Sequence, residues 1–97
     1  MARKVIWTLR AQNDRIRIVE YWNDRNKSTA YSNKLNSLIK QTLKLLGQYP
    51  YLGKSTDIDQ VRLKILKNYL IVYKLTQTHL IVLALWDSNQ DIKNLKI

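Results

Sequence analysis

Residues 61–86 read Val61-Arg62-Leu63-Lys64-Ile65-Leu66-Lys67-Asn68-Tyr69-Leu70-Ile71-Val72-Tyr73-Lys74-Leu75-Thr76-Gln77-Thr78-His79-Leu80-Ile81-Val82-Leu83-Ala84-Leu85-Trp86. The first five alternate strictly between apolar and basic, the pattern of a strand with one buried and one solvated face. Lys67-Asn68 is a turn candidate. Tyr69 to Leu75 and Leu80 to Trp86 are β-prone runs, separated by Thr76-Gln77-Thr78-His79. Three strands joined by short turns form an antiparallel meander.

The half before this stretch has a different period. Gly47, Pro50 and Gly53 punctuate the chain between the two. Lys4-Val5-Ile6-Trp7 reads as a first strand, and Thr8 as the N-cap of a helix reaching about Asp24. That helix has an approximate apolar stripe of Ala11, Ile16, Val19 and Trp22, widened by Ile18 and Tyr21. Asn26-Lys27-Ser28 breaks it, and Ser28 or Thr29 can cap a second helix. The second stripe is clearer: Tyr31, Leu35, Leu38, Ile39, Thr42, Leu45 and Leu46 share one face, and Gly47 is a natural stop. A short loop between the helices implies an antiparallel helical hairpin. The expected fold is therefore α+β, in the order β-α-α-β-β-β. The hairpin packs on one face of a mainly antiparallel four-stranded sheet, and residues 1–97 form a single domain.

Composition bounds the function. The 97 residues hold 17 Lys+Arg and 7 Asp+Glu, a net charge of +10. Ten of the basic and three of the acidic residues fall in residues 1–48, so the excess is +7 there and +3 in residues 49–97. A pI near 10 favours phosphate-rich or acidic protein partners. The chain has no cysteine and one histidine, His79. That excludes disulfides, thiolate chemistry and cysteine-ligated zinc, and it disfavours a histidine-built metal centre. No cofactor is expected. The apolar runs are too short to span a membrane, and the expected location is the cytoplasm.

If the helices cover one side of the sheet, alternation assigns Val61, Leu63 and Ile65 to the covered side. Arg62 and Lys64 then face away, about 7 Å apart along the strand. Lys54 precedes that strand and Lys67 follows it. The four cations form a candidate phosphate-binding cluster, with Arg62 able to bind a phosphate in bidentate fashion. His79 reads as an ordinary surface histidine. Trp7, Trp22 and Trp86 read as core or core-edge residues, and Tyr69 and Tyr73 share one sheet face.

The element order and several residues resemble the RelE/ParE superfamily of toxins from bacterial type II toxin–antitoxin modules. Val5-Ile6-Trp7-Thr8 with Ala11 is similar to the family's first strand and helix entry. Ile18 through Tyr21-Trp22 is similar to the end of its first helix, and Leu46, Tyr49-Pro50 and Gly53 to the close of its second. Val61-Arg62, Asn68-Tyr69-Leu70-Ile71-Val72-Tyr73 and Ile81-Val82-Leu83-Ala84-Leu85-Trp86 are similar to its meander. The resemblance runs from about Lys4 to Leu95.

It implies a growth-inhibiting, plasmid-stabilising toxin neutralised by a cognate acidic antitoxin. It also implies one of two targets: the ribosome, where RelE-like members cleave mRNA without a metal, or DNA gyrase, which ParE-like members poison; Arg62 and the net charge favour the ribosome, with gyrase as the alternative. For an endoribonuclease, the resemblance assigns Arg62 to phosphate contact and places Lys54 and Lys64 in the cleft, with Lys67 beside them. Cleaving members usually carry an arginine after the last strand. Here Asn89 or Gln90 stands in its place, as an amide that can bond a target but not neutralise its charge. A basic RNA-binding module without toxicity is the reading outside the family.

Overall fold

A computed structural model describes residues 2–89. The elements are β1 (Lys4–Trp7), α1 (Leu9–Asn26), α2 (Ala30–Gln48), a single 3-10 turn (Pro50–Leu52), β2 (Lys54–Ser55), β3 (Val61–Leu66), β4 (Tyr69–Leu75) and β5 (His79–Asp87). The sheet order is β1-β5-β4-β3-β2. β1 runs parallel to β5, and every other pair is antiparallel. The expected α+β architecture is present, with five strands rather than four. The extra one, β2, has only two residues, too few for any apolar alternation to announce it.

Thr8 caps α1 as its sequence position suggests. Its hydroxyl oxygen accepts the Ala11 N–H at 3.1 Å, and the hydroxyl itself donates to the Val82 carbonyl at 2.9 Å. The cap thus also ties the helix start to β5. Between the helices, the Ser28 hydroxyl accepts the Ala30 N–H.

Two details of the helices differ from the sequence reading. On α1 the buried residues are Ala11, Asp14 and Ile18, and Ile16 is exposed. On α2 they are Ser32, Leu35, Ile39, Leu43, Leu46 and Gly47, and Leu45 is exposed. Gly47 does not stop α2, which continues through Gln48. A Cβ on it would sit 3.0 Å from the Arg3 carbonyl oxygen, and the Arg3 N–H donates to the Gly47 carbonyl at 2.8 Å. The glycine is there so that the chain entering β1 can pass close over the helix.

One hydrophobic core lies between the hairpin and the sheet. Leu35, Ile39, Leu43 and Leu46 of α2 meet Tyr69, Ile71, Tyr73 and Leu75 of β4 and Leu80, Val82 and Leu85 of β5. Val5, Trp7 and Trp22 pack against it. The β4–β5 register shifts at Val72/Tyr73, so that Leu83 is the extra residue between Val82 and Ala84. This bulge keeps Leu80 and Val82 before it, and Leu85 after it, on the helix side. A smaller cluster on the opposite face joins Val61, Val72 and Ala84, with Leu63 and Leu83 against it. Among the described residues no helix is long and apolar enough to cross a membrane.

The register corrects the assignment of faces on β3. Arg62 pairs with Tyr73, Lys64 with Ile71 and Leu66 with Tyr69. Directly opposed residues of antiparallel strands share a face. Arg62 and Lys64 therefore lie on the helix side, and Val61, Leu63 and Ile65 on the other. The alternation was real, but its usual translation fails here. β4 is buried on both faces, at Ile71 and Tyr73 on one and Val72 on the other, so β3 has an apolar neighbour whichever way it turns. On the helix side it meets the polar backbone of the 3-10 turn, and basic residues suit that surface.

Candidate functional site

Arg62 is held by this turn. Its Nε–H donates to the Gly53 carbonyl at 2.8 Å and an Nη2–H to the Tyr51 carbonyl at 3.3 Å. The guanidinium lies 5.2 Å from the centroid of the Tyr51 ring, within cation–π range. Its cross-strand partner Tyr73 completes the arrangement: the buried hydroxyl donates to the Pro50 carbonyl at 2.7 Å and accepts the Gly53 N–H at 3.1 Å. Two adjacent side chains on β3 and β4 thus satisfy the carbonyls of Pro50, Tyr51 and Gly53, which no helix or strand would otherwise engage.

The other expected site residues scatter around this clamp. Lys64 is half-buried on the same face as Arg62. Lys54 is exposed on β2 and pairs with Leu63, which puts it on the opposite face. Lys67 is exposed in the two-residue β3–β4 turn with a φ of 56°, the left-handed conformation that tight hairpins require. Asn89 is exposed after β5, where its N–H donates to Asp87 Oδ1 at 2.9 Å. Gln90 lies outside the described residues. Arg62 and Lys64 are together; Lys54, Lys67 and Asn89 do not converge on them. His79 opens β5 rather than lying in the preceding turn, and its Nδ1 is 2.7 Å from the Thr78 hydroxyl.

A cavity of about 630 Å³ lies elsewhere. It lies between α1 and the end of β5, with Arg10, Arg17 and Arg25 along one wall and Asn68, Trp86 and Asn89 on the other. Asp14 forms its floor. This buried carboxylate accepts an N–H from Arg17 and the Leu85 backbone N–H at 3.1 Å, with Arg10 Nε 3.9 Å away. Asp14 escaped the sequence reading because an acid on a helix is normally solvated. Its one signal was the arginines four residues before and three after it.

Two tyrosines have perturbed acidity. Burial pushes the Tyr73 phenol above its ordinary value, opposed by the Gly53 N–H bond and by Arg62. Burial also raises Tyr69, opposed by the hydrogen bond from the Trp22 indole N–H and aided by the charge of Asp87. Both phenols are thus neutral and hydrogen-bonded near neutral pH. A phenol whose folded-state pKa is raised contributes stability below the unfolded value of about 10 and loses it as pH rises through the folded value. Urea midpoints should therefore hold constant to about pH 10 and fall above it, less steeply in Tyr73→Phe. An equal fall in the variant would remove Tyr73 from the cause.

A helical hairpin on a mainly antiparallel sheet with a basic edge defines a class of small, basic α+β proteins. The comparisons narrow it. Residues 5–92 match the family described as the ParE toxin of the type II toxin–antitoxin system, parDE. The chain belongs to the ParE toxin family, within the RelE/ParE superfamily. Among solved structures, it is similar to a chain of the chromosomal ParDE toxin–antitoxin system from P. aeruginosa. That match has a TM-score of 0.76 at 17% identity and covers 89% of this chain and 96% of the other; it supports the fold. No functionally curated protein matches the sequence.

Proposed function

We propose that this chain is the growth-inhibiting toxin of a type II module, neutralised in the cytoplasm by a cognate acidic antitoxin, and that it acts by binding DNA gyrase rather than by cutting ribosome-bound mRNA. The observation that carries this reading is the dispersal of the cations and amide expected to form a cleavage cleft. Cleavage needs a cation on the scissile phosphate and groups to move two protons. Two of the five Arg62 N–H donors hold the Gly53 and Tyr51 carbonyls, Lys54 is on the other face of the sheet, and Lys67 and Asn89 do not converge on Arg62 and Lys64. The family's name supports the same target.

The test runs both targets side by side. Purified toxin should suppress supercoiling of relaxed plasmid by gyrase and leave mRNA on programmed ribosomes uncut in the A site. A-site cuts that vanish in Arg62→Ala would overturn the gyrase reading in favour of an endoribonuclease using Arg62, Lys64 and Lys54. Retained growth with neither effect, and RNA binding alone, would remove the toxin reading. Arg62→Ala should also lower folding stability by about 1–2 kcal/mol, because a charge-assisted bond at a partly exposed site is lost. Thermal unfolding measures this.

A further inference from the structure

We propose that the cavity between α1 and the end of β5 binds a small nucleotide, a purine base carrying a phosphate. This site is separate from the Arg62 clamp. At about 630 Å³, its volume falls within the roughly 300–1,000 Å³ typical of small-molecule sites. Arg10, Arg17 and Arg25 line it. They are spaced seven and eight residues apart, close to two helical turns each time, so all three meet it from one face of α1. Tyr21, Trp22 and Tyr69 supply aromatic rings, and Asn68 an amide that both donates and accepts. A cationic end beside an aromatic wall with an amide is the composition that a phosphorylated base requires.

The three arginines are not equivalent. Asp14 and Asp87 also line the cavity, so the cations exceed the carboxylates by one. Asp14 pairs with Arg17 and lies 3.9 Å from Arg10 Nε. Arg25 pairs with no carboxylate among the described residues; one of its N–H groups reaches the Tyr21 hydroxyl at 3.4 Å. The surplus charge therefore sits at Arg25, whose other N–H donors can hold a phosphate. The aromatic wall next to it is fixed in advance. Tyr21 and Trp22 meet edge to face with centroids 5.1 Å apart, and the Trp22 indole N–H donates to the Tyr69 hydroxyl at 2.8 Å. A wall already ordered spares a ligand the entropy of ordering it. The phosphate lies at Arg25, and the base lies against Trp22 and Tyr69 beside Asn68. A bare anion would leave the rings unused, and an uncharged nucleoside would leave the arginine unused. The proposal is independent of the toxin's target.

The probes are adenosine monophosphate, guanosine monophosphate, adenosine, inorganic phosphate and a short oligoadenylate strand. Either monophosphate should change tryptophan fluorescence saturably, through Trp22, and shift the NMR signal of the Asn68 side-chain amide. Adenosine and inorganic phosphate should each bind at least about tenfold more weakly, since each keeps only part of the contacts. Arg25→Gln, at an exposed position, should weaken the monophosphate by about tenfold. Lys40→Gln with Lys44→Gln removes two charges of α2 outside the cavity and should leave binding unchanged. The ligand series uses the unaltered chain, so its outcome stands even if Arg25→Gln does not fold. No saturable change with either monophosphate, equal affinity for adenosine or for inorganic phosphate, equal weakening in the Lys40 and Lys44 variant, or a strand that binds more tightly than the monophosphate would each overturn the proposal.

Discussion

Replacing Asp14 with alanine is expected to destabilise the protein by about 2–3 kcal/mol, a large part of the roughly 5–10 kcal/mol that a domain of this size possesses. The cause is one backbone group. The Leu85 N–H lies just past the bulge in β5, buried, and Asp14 Oδ2 is its acceptor across 71 residues of sequence. Alanine leaves that buried N–H without its side-chain acceptor. The arginines matter less. Arg17 is 72% exposed at its side chain and Arg10 40%, and water can solvate both once the carboxylate is gone, so Arg17→Ala should cost under about 1 kcal/mol. Asp14→Asn keeps an acceptor for Leu85 and should fall between the two. Urea denaturation of the three variants decides the matter. If Arg17→Ala costs as much as Asp14→Ala, the ion pair, and not the backbone acceptor, is what Asp14 provides.

Gly53→Ala should be the other severe substitution, at about 3–4 kcal/mol. Its φ of −74° is open to any residue, so the constraint is space. An added Cβ would fall on the Tyr73 hydroxyl and 2.8 Å from the Leu63 carbonyl oxygen. Tyr73 cannot simply retreat, because its hydroxyl is bonded to both Pro50 and Gly53. Tyr73→Phe alone should cost about 1–3 kcal/mol through the two groups it strands. The double variant should cost less than the sum, since phenylalanine removes the oxygen that the new methyl strikes. Strict additivity in the double-mutant cycle would refute this account.

The fold was legible because its signals are local. Thr8 sits where a cap should, the α2 stripe keeps its period, and the meander shows its turns. The β3 face was misread for a reason that no single strand contains. Arg62 and Lys64 look solvated in any alternating segment, and only the register against Tyr73 and Ile71 turns them inward. Gly47 and Gly53 were read as punctuation, yet each exists to let a distant piece of chain come near: Arg3 in one case, Tyr73 in the other. The site suffered most, because its residues take their meaning from partners. Arg62 was visible as a cation. That its donors go to the carbonyls of Tyr51 and Gly53 depends on a turn whose sequence, Pro50-Tyr51-Leu52-Gly53, says nothing about which side chain will fill it.

The place of β5 sets a timetable. It is the last described strand in the chain, yet it lies between β1 and β4 and supplies the Leu85 N–H and the Val82 carbonyl that anchor both ends of α1's sheet contact. Until residues 79–87 have left the ribosome, the helices have no central strand to close on and β1 has no neighbour at all. The sheet therefore cannot close around its centre until β5 has joined it.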